Sequence, residues 1–439
     1  MFNRKIEKLL ENYYNDTSYP RILVISGARQ VGKSFIISET AKTHYSNFIA
    51  IDLKDDYEGE KRFENIKTTS DLYLLLSSFS SSKLNNYEDT LIFLDEIQYY
   101  PHLMTMLKPL NLERKYRFIV SGSLLGITLR HSFIPMGSIE EARMFPMDFE
   151  EFLWANDYGK DTIQYLKDSF LSLKPINESI HQYTLKLFRE YLISGGLPAA
   201  INEFVVNKNV IQTRKVQTDI HSFYSDDCSK YEKDKKLKIK RIYDLLPSNM
   251  ANKVKRIRFK AIEGKQNSNF EKYEDEFDYL FDSGIALPAR AVPNPVFPLM
   301  ESMCKDLIKV YFNDVGILTN ILYRNNIDAI LNKDKNINLG SVYETAVAME
   351  LIAHGHELYY FDNKKIGEVD FLVNDYDNLS ILPIEVKSGN DQTNFRAIPK
   401  LVDEKGNYKL KYGYVLGNKN IVEKKNNLVT IPVYLCMFL

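Results

Sequence analysis

One short segment near the start of the chain restricts the fold more than any other feature. Residues 27–34 read Gly-Ala-Arg-Gln-Val-Gly-Lys-Ser and fit the pattern G-x-x-x-x-G-K-[ST]. Residues 22–25, Ile-Leu-Val-Ile, come just before it and predict a strand, and the apolar stretch that follows is compatible with a helix. A strand, a glycine-rich turn and a helix in this order are typical of a phosphate-binding P-loop. The sequence therefore predicts a nucleotide-binding α/β domain.

The residue types in this segment match the chemistry of a nucleoside triphosphate. Its glycines allow a tight turn that brings backbone N–H groups against phosphate oxygens, and the helix N-terminus adds a positive dipole end. Lys33 is predicted to reach the β- and γ-phosphates, and the hydroxyl of Ser34 is predicted to bind Mg²⁺. The predicted cofactors are therefore ATP and Mg²⁺. The predicted nucleotide-binding residues are Gly27, Ala28, Arg29, Gln30, Val31, Gly32, Lys33 and Ser34.

Two acidic residues follow a second apolar run. Residues 91–94 are Leu-Ile-Phe-Leu, which favours a central strand buried on both faces of a parallel sheet, and Asp95 and Glu96 come directly after it. We expect Asp95 to assist Mg²⁺ binding, directly or through water, and Glu96 to orient and deprotonate a water molecule. The alternative is a strand that ends in a solvated acidic turn. The presence of Glu96 favours hydrolysis over nucleotide binding alone.

Strands alternate with helical patterns in the first part of the chain, which predicts a parallel α/β sheet. The predicted strands are 21–26, 47–52, 90–95 and 116–121. The last of them ends in Ser-Gly-Ser at residues 121–123. The hydroxyl of Ser123, at the end of a strand beside Asp95, is predicted to contact the γ-phosphate or the attacking water. A plain Ser-Gly turn explains the same residues equally well from their spacing.

Composition limits what the rest of the chain does. The 439 residues are 44% hydrophobic and 26% charged, which is typical of a globular protein with two or three domains. The net charge of −1 excludes a global field that would attract nucleic acid or membranes, so any such site is a local patch. No run approaches the roughly 18 apolar residues of a membrane span, and the N-terminal residues do not resemble a signal peptide. We expect a cytoplasmic protein with no membrane contact.

The middle of the chain is predicted to be mostly helical. Residues 139–155 indicate a short strand, a proline break and a helix started by Asp148, and helical patterns continue with a break at 194–198. Between residues 230 and 260 there are twelve Lys and Arg residues against three acids. Short helices there, a helix at 270–285 and a β-like proline-rich stretch favour a winged helix. The basic segment is either a contact for nucleic acid or a solvated face.

The last third of the chain has a different pattern. Residues 340–351 indicate an amphipathic helix, and residues 367–373 and 382–389 indicate two strands. Side chains alternate between the two faces of a strand, so polar residues two apart share a face. The polar residues of interest on these three elements are Glu344, Asp370, Glu385 and Lys387.

These four residues predict a second chemical site. If the two strands pair with their polar faces together, Asp370 and Glu385 form a two-carboxylate site for a hard cation such as Mg²⁺. Lys387 is then able to position a water or to stabilise a developing negative charge, and Glu344 is a candidate further ligand. This order of residues resembles the PD-(D/E)xK nuclease-like fold. The alternative is the wet face of an ordinary sheet.

The whole chain resembles prokaryotic AAA-type P-loop ATPases that carry a C-terminal domain with a restriction-endonuclease-like core. The resemblance covers nearly the full length and rests on residues 27–34, 94–96, 121–123, 145–152, 195–198 and 309–316 together with the C-terminal acids. It implies ATP binding and hydrolysis, and it implies for Ser123 the role called sensor 1 in AAA-type ATPases. We predict three regions: a P-loop ATPase domain at 1–155, a helical and winged-helix-like region at 156–300 and a PD-(D/E)xK-like domain at 301–439.

The chain departs from this family at one position. Similar members usually have Gly-Arg after the sensor strand, where this chain has Gly137-Ser138. An arginine finger contributes about 10³–10⁵ in rate, so we expect hydrolysis to be slow or to depend on Arg143 or another arginine.

Two functions from different classes fit these observations. The first is an ATP-dependent switch or motor that acts on DNA or on a protein partner through its C-terminal half. The second is a signalling or binding NTPase whose nuclease-like domain is a catalytically silent scaffold. A small-molecule kinase fits the P-loop but leaves the rest of the chain without a role. Cleavage of nucleic acid and the oligomeric state stay open at this point.

Overall fold

The computed structural model describes residues 2–79, 84, 86–125, 137–227, 236–251, 255–264, 269–331, 337–389, 395–408 and 410–439. Internal contacts divide the chain into two compact units. The first unit holds Asn3–Phe145 and Asp282–Gly284, and the second holds Phe2, Pro146–Phe281 and Ile285–Leu439. No described helix is long and apolar enough to cross a membrane.

The first unit is built on a five-stranded parallel sheet with the strand order β2-β3-β4-β1-β5. Its strands are β1 (Ile22–Ser26), β2 (Asn47–Asp52), β3 (Thr90–Asp95), β4 (Arg117–Gly122) and β5 (Ile139–Arg143). The four strands predicted from the sequence agree with the observed bounds to within one residue. Every residue of β3 is buried, as expected for a strand that has neighbours on both sides and helices on both faces.

The helices of this unit are α1 (Ile6–Asn15), α2 (Lys33–Ala41), α3 (Leu53–Glu58), α4 (Thr69–Ser78) and α5 (Pro101–Glu113). Local residues explain where some of them begin. Helix α4 starts with a capping box between Thr68 and Asp71, and α5 starts at Pro101, whose missing N–H is not needed in a first turn. The apolar faces of α3, α4 and α5 form one core with one face of the sheet, around Leu94, Leu103 and Leu107.

The parallel arrangement decides where the polar residues meet. The carboxyl ends of parallel strands lie at one edge of the sheet, which is where ligands bind in open α/β sheets. The segments that leave β1, β3 and β4 there begin with Gly27, Glu96 and Ser123. The fold therefore collects the predicted nucleotide site at a single edge.

The helices that follow the first unit are α6 (Phe149–Ala155), α7 (Lys160–Ser172), α8 (Glu178–Ser194), α9 (Pro198–Ile201), α10 (Val210–Asp227), α11 (Lys236–Ala251), α12 (Lys260–Glu263), α13 (Glu274–Asp282), α14 (Val315–Tyr323), α15 (Asp328–Leu331), α16 (Gly340–Ala353) and α17 (Ile398–Leu401). The predicted start of α6 at an aspartate is confirmed. The side chain of Asp148 accepts a hydrogen bond from the N–H of Glu151, and the two residues form a capping box.

The predicted break at 194–198 is a tightly packed turn between α8 and α9. Gly195 has φ +67°, a conformation that glycine adopts without strain. The N–H of Gly196 donates to Asp314 Oδ2 at 2.6 Å, and Asp314 Oδ1 accepts from the N–H of Ile317 at 2.9 Å at the start of α14. Asp314 is fully buried, so this carboxylate joins the turn to α14 inside the core.

The second unit contains a mixed eight-stranded sheet with the order β12-β13-β11-β10-β9-β8-β6-β7. Its strands are β6 (Ala286–Val292), β7 (Cys304–Phe312), β8 (Tyr359–Asn363), β9 (Gly367–Asp375), β10 (Ser380–Val386), β11 (Gly413–Gly417), β12 (Glu423–Lys425) and β13 (Leu428–Pro432). Strands β8, β9 and β10 are antiparallel neighbours, and β10, β11 and β13 run parallel. The two C-terminal strands predicted from the sequence correspond to β9 and β10.

This sheet differs from the prediction of a separate winged-helix region at 156–300. Strand β6 pairs antiparallel with β7 and parallel with β8, so both of its edges are occupied within the larger sheet. The proline-rich stretch after α13 is therefore not a wing. For the same reason, a boundary between 156–300 and 301–439 would cut the sheet between β6 and β7, and both regions lie in the second unit.

Candidate functional site

The P-loop segment forms the predicted turn between β1 and α2. Gly27 has φ +143° and Gly32 has φ +95°, and side-chain-bearing residues rarely adopt such angles. A Cβ atom at Gly27 would lie 2.1 Å from the backbone oxygen of Met144. Helix α2 begins at Lys33. The turn thus opens directly into a helix N-terminus, which is the local geometry that a phosphate group requires.

Lys33 is nearly enclosed in this turn, with only 5% of its surface exposed. Its Nζ donates hydrogen bonds to the backbone oxygens of Gly27 at 2.8 Å and Ala28 at 2.9 Å. Burial lowers the pKa of Lys33, and the carboxylates of Glu96 and Asp95 oppose that change. The ammonium group is therefore held inside the loop, close to both acids that follow β3.

Asp95 lies at the end of β3 and is contacted by hydroxyl groups from two directions. Ser34 donates to its Oδ2, and Ser121 at the end of β4 donates to its Oδ1. Burial raises the pKa of Asp95, and the two hydroxyl hydrogen bonds lower it again only in part. The hydroxyl of Ser34, predicted to bind Mg²⁺, is therefore in direct contact with Asp95, the acid predicted to assist that binding.

Glu96 has a left-handed backbone conformation, with φ +55°, which turns its side chain toward β4. Its Oε2 accepts hydrogen bonds from the hydroxyl of Ser123 at 2.9 Å and from the amide of Gln98. Burial alone would raise the pKa of Glu96, but the charges of Lys33 and Arg29 outweigh it and lower the pKa. Glu96 is therefore ionised at neutral pH while it contacts the hydroxyl of Ser123.

The sequence analysis gave no role to Ser121 or Gln98, and it predicted Arg29 only as a member of the nucleotide-binding loop. The Nε of Arg29, whose residue is 9% exposed, donates to the hydroxyl of Ser123 at 3.0 Å. The alternation of side chains along β4 is the signal that identifies Ser121, since it lies two residues before Ser123 on the same face. No local pattern identifies the Arg29 contact, because it joins residues 94 apart in sequence.

The two positions considered for an arginine finger lie at opposite ends of β5. Residue 138, where the similar family has arginine, precedes β5, and its backbone oxygen accepts from Ile22 at the amino end of β1. Arg143 ends β5 and is paired in register with Ser26. At about 3.3 Å per residue the two positions are roughly 16 Å apart. Of the two, Arg143 is the one beside the P-loop edge, where its guanidinium lies 5.3 Å from the centre of the Phe145 ring.

The C-terminal residues Asp370, Glu385 and Lys387 lie close together. Strands β9 and β10 are antiparallel, with Phe371 opposite Ile384, so Asp370 and Glu385 follow as neighbours in register. Asp370 Oδ2 accepts from the N–H of Val386 at 2.8 Å, and Lys387 Nζ donates to Glu385 Oε1 at 2.7 Å. The strand pairing therefore brings together two carboxylates and a lysine ammonium group.

Crowding of carboxylates changes the acidity of this group. Burial raises the pKa of Asp370, and the charges of Glu344 and Glu385 raise it further. Burial also raises the pKa of Glu385, and the adjacent Lys387 opposes that increase. Both directions are those expected for acids that share a small volume. Such a pair gains stability from any cation that binds between them.

Both carboxylate oxygens of Glu344, the predicted further ligand, are contacted by other residues. Lys255 donates to its Oε1, and the hydroxyl of Tyr311 donates to its Oε2 at 3.4 Å. Among the described residues, one carboxylate oxygen from each of Glu344, Asp370 and Glu385 does not lie within 4.8 Å of the other two. Glu344 is thus a charged neighbour of the strand pair, and Lys255 and Tyr311 hold its side chain.

Lys309 is a further residue of this site. It is 1% exposed, and its Nζ lies 2.5 Å from Glu368 Oε1. Burial would lower the pKa of Lys309, but the surrounding carboxylates, Glu344 first, outweigh it and raise the pKa. Lys309 and Lys255 come from β7 and from the basic segment, so spacing within the C-terminal third could not reveal them.

The basic segment at 230–260 lies partly outside the described residues, including Lys230, Lys233, Lys235 and Lys253. Several of its described residues form ion pairs within the second unit. Lys238 lies 3.7 Å from Glu276, Lys240 lies 3.4 Å from Asp226, and Arg256 lies 2.6 Å from Asp362. These pairs neutralise part of the positive charge that the composition indicates.

Comparison with known proteins supports the interpretation of the first unit. Residues 19–153 match the family described as an AAA domain. Residues 185–328 and 339–436 match two families described as domains of unknown function (DUF8612 and DUF4143). No curated protein matches the chain. An AAA-type P-loop domain is therefore supported for the first unit, whereas the matches give the mixed sheet of the second unit no nuclease identity.

The chain also matches several solved structures, at low sequence identity and with TM-scores below 0.5. The Walker-type ATPase Paby2304 of Pyrococcus abyssi is 16% identical, with a TM-score of 0.44, 73% of this chain and 95% of that chain being covered. The RuvB Holliday junction branch migration motor of Thermotoga maritima is 13% identical (TM-score 0.28, coverage 64% and 86%). The Orc1 protein of Aeropyrum pernix in complex with DNA is 11% identical (TM-score 0.30, coverage 76% and 93%).

Proposed function

We propose that this chain binds ATP with Mg²⁺ at the P-loop, hydrolyses it, and acts as a switch or motor on DNA or on a protein partner through its second unit. The observation that supports this most is the connected set of polar contacts at the carboxyl edge of the parallel sheet. Ser34 contacts Asp95, and Ser123 contacts Glu96. These are the residue types and neighbours that phosphoryl transfer to water needs.

Nucleotide binding replaces contacts that the loop makes with itself. Lys33 exchanges the backbone oxygens of Gly27 and Ala28 for the β- and γ-phosphate oxygens, which are better acceptors because they carry full negative charge. Ser34 and Asp95 would hold Mg²⁺, which would neutralise part of the negative charge of the phosphates. A dication beside Asp95 would favour its ionised carboxylate and would so oppose the rise in pKa that burial causes.

Hydrolysis is assigned to Glu96. An ionised carboxylate at this place accepts a proton from water as the oxygen attacks the γ-phosphorus, and ADP leaves with the electron pair of the broken bond. Ser123 holds the Glu96 side chain at 2.9 Å and thereby fixes its direction. Arg29 is the arginine that contacts this pair, and we assign to it the stabilisation of charge on the transferred group.

The C-terminal group of acids is proposed as a divalent-cation site for cleavage of phosphodiester bonds. Burial first and neighbouring carboxylates second raise the pKa values of Asp370 and Glu385, and a bound dication would stabilise the ionised form of both acids. Lys387 would then stabilise the negative charge that develops on the phosphate. The alternative is that the second unit is a silent scaffold and the first unit alone performs chemistry.

The ATPase test is the variant Glu96→Gln, with Glu141→Gln on the exposed face of β5 as the matched control. Loss of a general base typically costs about 10²–10⁴ in rate, so turnover of radiolabelled ATP should fall by that factor in Glu96→Gln and stay unchanged in the control. Binding of ATP should persist in both. Turnover at the wild-type rate in Glu96→Gln would return Glu96 to an acidic turn.

The partner test asks whether nucleic acid co-purifies with the protein and whether adding it changes the ATPase rate. Cleavage is tested separately with Mg²⁺ and labelled DNA and RNA, comparing Asp370→Ala and Lys387→Ala with the exposed control Asp377→Ala. Loss of cleavage in the first two alone supports the nuclease assignment. If no variant differs from wild type and no substrate is cut, the scaffold alternative holds.

A further inference from the structure

Three ligand-type side chains converge away from both sites described above: Asp148, Glu350 and His354. One carboxylate oxygen of each acid and one ring nitrogen lie within 4.8 Å of one another. Among the residues that the structure describes, this is the one group of three or more His, Cys, Asp or Glu side chains with that spacing. Glu350 is six residues from Glu344 on α16, which puts the two side chains about 120° apart around the helix.

The local fold explains why the two acids point to the same place. Asp148 precedes α6, and its Oδ1 accepts from the N–H of Glu151 at 2.9 Å. Glu350 lies on α16, and its Oε1 accepts from the N–H of Phe149 at 2.6 Å. One oxygen of each carboxylate is thus fixed by the first turn of α6, and this orients both groups.

His354 presents a defined nitrogen to these acids. Its Nδ1 lies 2.9 Å from the backbone oxygen of Leu439, an atom that only accepts hydrogen bonds, so Nδ1 carries a proton. The other nitrogen, Nε2, lies 3.7 Å from Asp148 Oδ2. The backbone N–H of His354 donates to the backbone oxygen of Glu350 at 3.0 Å, so the two residues keep helical spacing and their side chains lie on one face of α16. A metal-bound histidine characteristically donates its second ring N–H to a backbone or carboxylate oxygen, as Nδ1 of His354 does to Leu439.

The two carboxylates of this group are also buried together. Asp148 is 4% exposed and Glu350 is fully buried. Two carboxylates in a low-dielectric environment carry a large desolvation cost and repel each other, and a dication relieves both effects.

One member of the group, His354, borders a cavity. A pocket of about 450 Å³ is lined by His354, Leu439 and Trp154, with Lys160 and Lys167 on its wall. An ion that reached this pocket would meet the imidazole first. Trp154 is the single tryptophan of the chain, so its fluorescence reports on this pocket alone.

We propose that Asp148, Glu350 and His354 form a binding site for a divalent transition-metal ion, with Zn²⁺ as the best match. Zinc accepts nitrogen at about 2.0–2.1 Å and carboxylate oxygen at about 2.0–2.2 Å, so tetrahedral ligands lie about 3.3 Å apart. The observed 3.7 Å between Nε2 and Oδ2 needs a closure of a few tenths of an ångström. The imidazole excludes a Mg²⁺ site, since Mg²⁺ prefers oxygen ligands. Bound Zn²⁺ would link α6 to α16, with a fourth ligand position toward the pocket.

The test is a titration of chelator-treated full-length protein with Zn²⁺ by calorimetry, and with Co²⁺ by visible absorption and Trp154 fluorescence. Wild-type protein should bind one equivalent at this site with a change in Trp154 emission. The variants His354→Gln and Asp148→Asn should bind at least about 100-fold more weakly. His356→Gln, which changes a histidine two residues away, is the matched control and should bind like wild type.

The second acidic site provides the decisive comparison. The Asp370→Asn variant should still bind the Zn²⁺ equivalent and should still show the change in Trp154 emission. The proposal would be overturned if Asp370→Asn lost the binding and the emission change while His354→Gln kept them. Thermal unfolding distinguishes a Zn²⁺ site from a simple ion pair between the His354 imidazolium and the carboxylates. Zn²⁺ should raise the Tm of wild type and not that of His354→Gln. A lower Tm for His354→Gln with no Zn²⁺ effect on wild type would show that the three residues are only an ion pair.

Discussion

Replacement of Gly196 by alanine tests how the turn between α8 and α9 is held. A Cβ atom there would lie 2.1 Å from the backbone oxygen of Met147, about 1.3 Å closer than ordinary contact at 3.4 Å. The backbone of Met147 cannot move away freely, because it is held by two hydrogen bonds. Its N–H donates to the backbone oxygen of Gly196 at 2.7 Å, and its backbone oxygen accepts from the Tyr191 hydroxyl at 2.8 Å. Relieving the overlap breaks at least the first of these and strains the Gly196 bond to Asp314. Each buried group left unpaired costs about 1–3 kcal/mol, so Gly196→Ala should lower the free energy of unfolding by about 2–6 kcal/mol.

Urea unfolding of the full chain, followed by fluorescence of Trp154, measures this loss because Trp154 belongs to the same unit as Gly196. The midpoint should fall by roughly 1 M or more, given slopes of about 1–3 kcal/mol per M. The control is Gly159→Ala, where the nearest atom to the new Cβ is the Thr162 hydroxyl at 3.6 Å. Equal midpoints for Gly196→Ala and Gly159→Ala would refute the close-packing argument.

Three further outcomes are expected. Burial raises the pKa of Asp314 to about 6, so the stability that its protonated form contributes is full below pH 3.8 and is lost as the pH rises through 6. Urea midpoints measured across this range should fall with rising pH in wild type, and this part of the fall should be missing in Asp314→Asn. Arg29→Gln should slow ATP turnover by about 10³-fold or more while ATP affinity by calorimetry changes little, and an unchanged rate would reject the assigned role. If the basic segment at 230–260 contacts phosphate backbones, affinity for mixed-sequence DNA by anisotropy should fall steeply with salt, and a salt-independent affinity would return it to a solvated face.

The first unit could be predicted closely because its signals are local. Strands β1 to β4 of the parallel sheet each contain a run of at least three apolar residues, and the motif residues lie directly at the ends of these strands. Parallel topology then places Lys33, Asp95 and Glu96 at one edge without further information. What this reasoning missed was the set of side-chain contacts across the edge. The bond from Arg29 to Ser123 depends on how the P-loop and β4 pack, which no short pattern encodes.

The second unit shows the limit of local reasoning more clearly. Residues 286–312 have strand-like patterns, but nothing in them indicates that β6 pairs with β8, nearly seventy residues away in sequence. The contact between Phe149 and Glu350 spans 201 residues, and Lys255 reaches Glu344 across 89. In contrast, Asp370 and Glu385 lie on strands that are consecutive in the chain, so alternation and antiparallel pairing were sufficient to predict their approach.

Calorimetric titration of ATP with Mg²⁺ into wild type and Lys33→Ala tests the central claim most directly. The Lys33 ammonium is enclosed by the loop and is assigned a charge-assisted contact with the β- and γ-phosphates, worth more than a neutral hydrogen bond. We expect saturable ATP binding by wild type that is severely weakened in Lys33→Ala, while both proteins unfold at similar temperatures in the absence of nucleotide. Equal ATP affinity in the two proteins would contradict it.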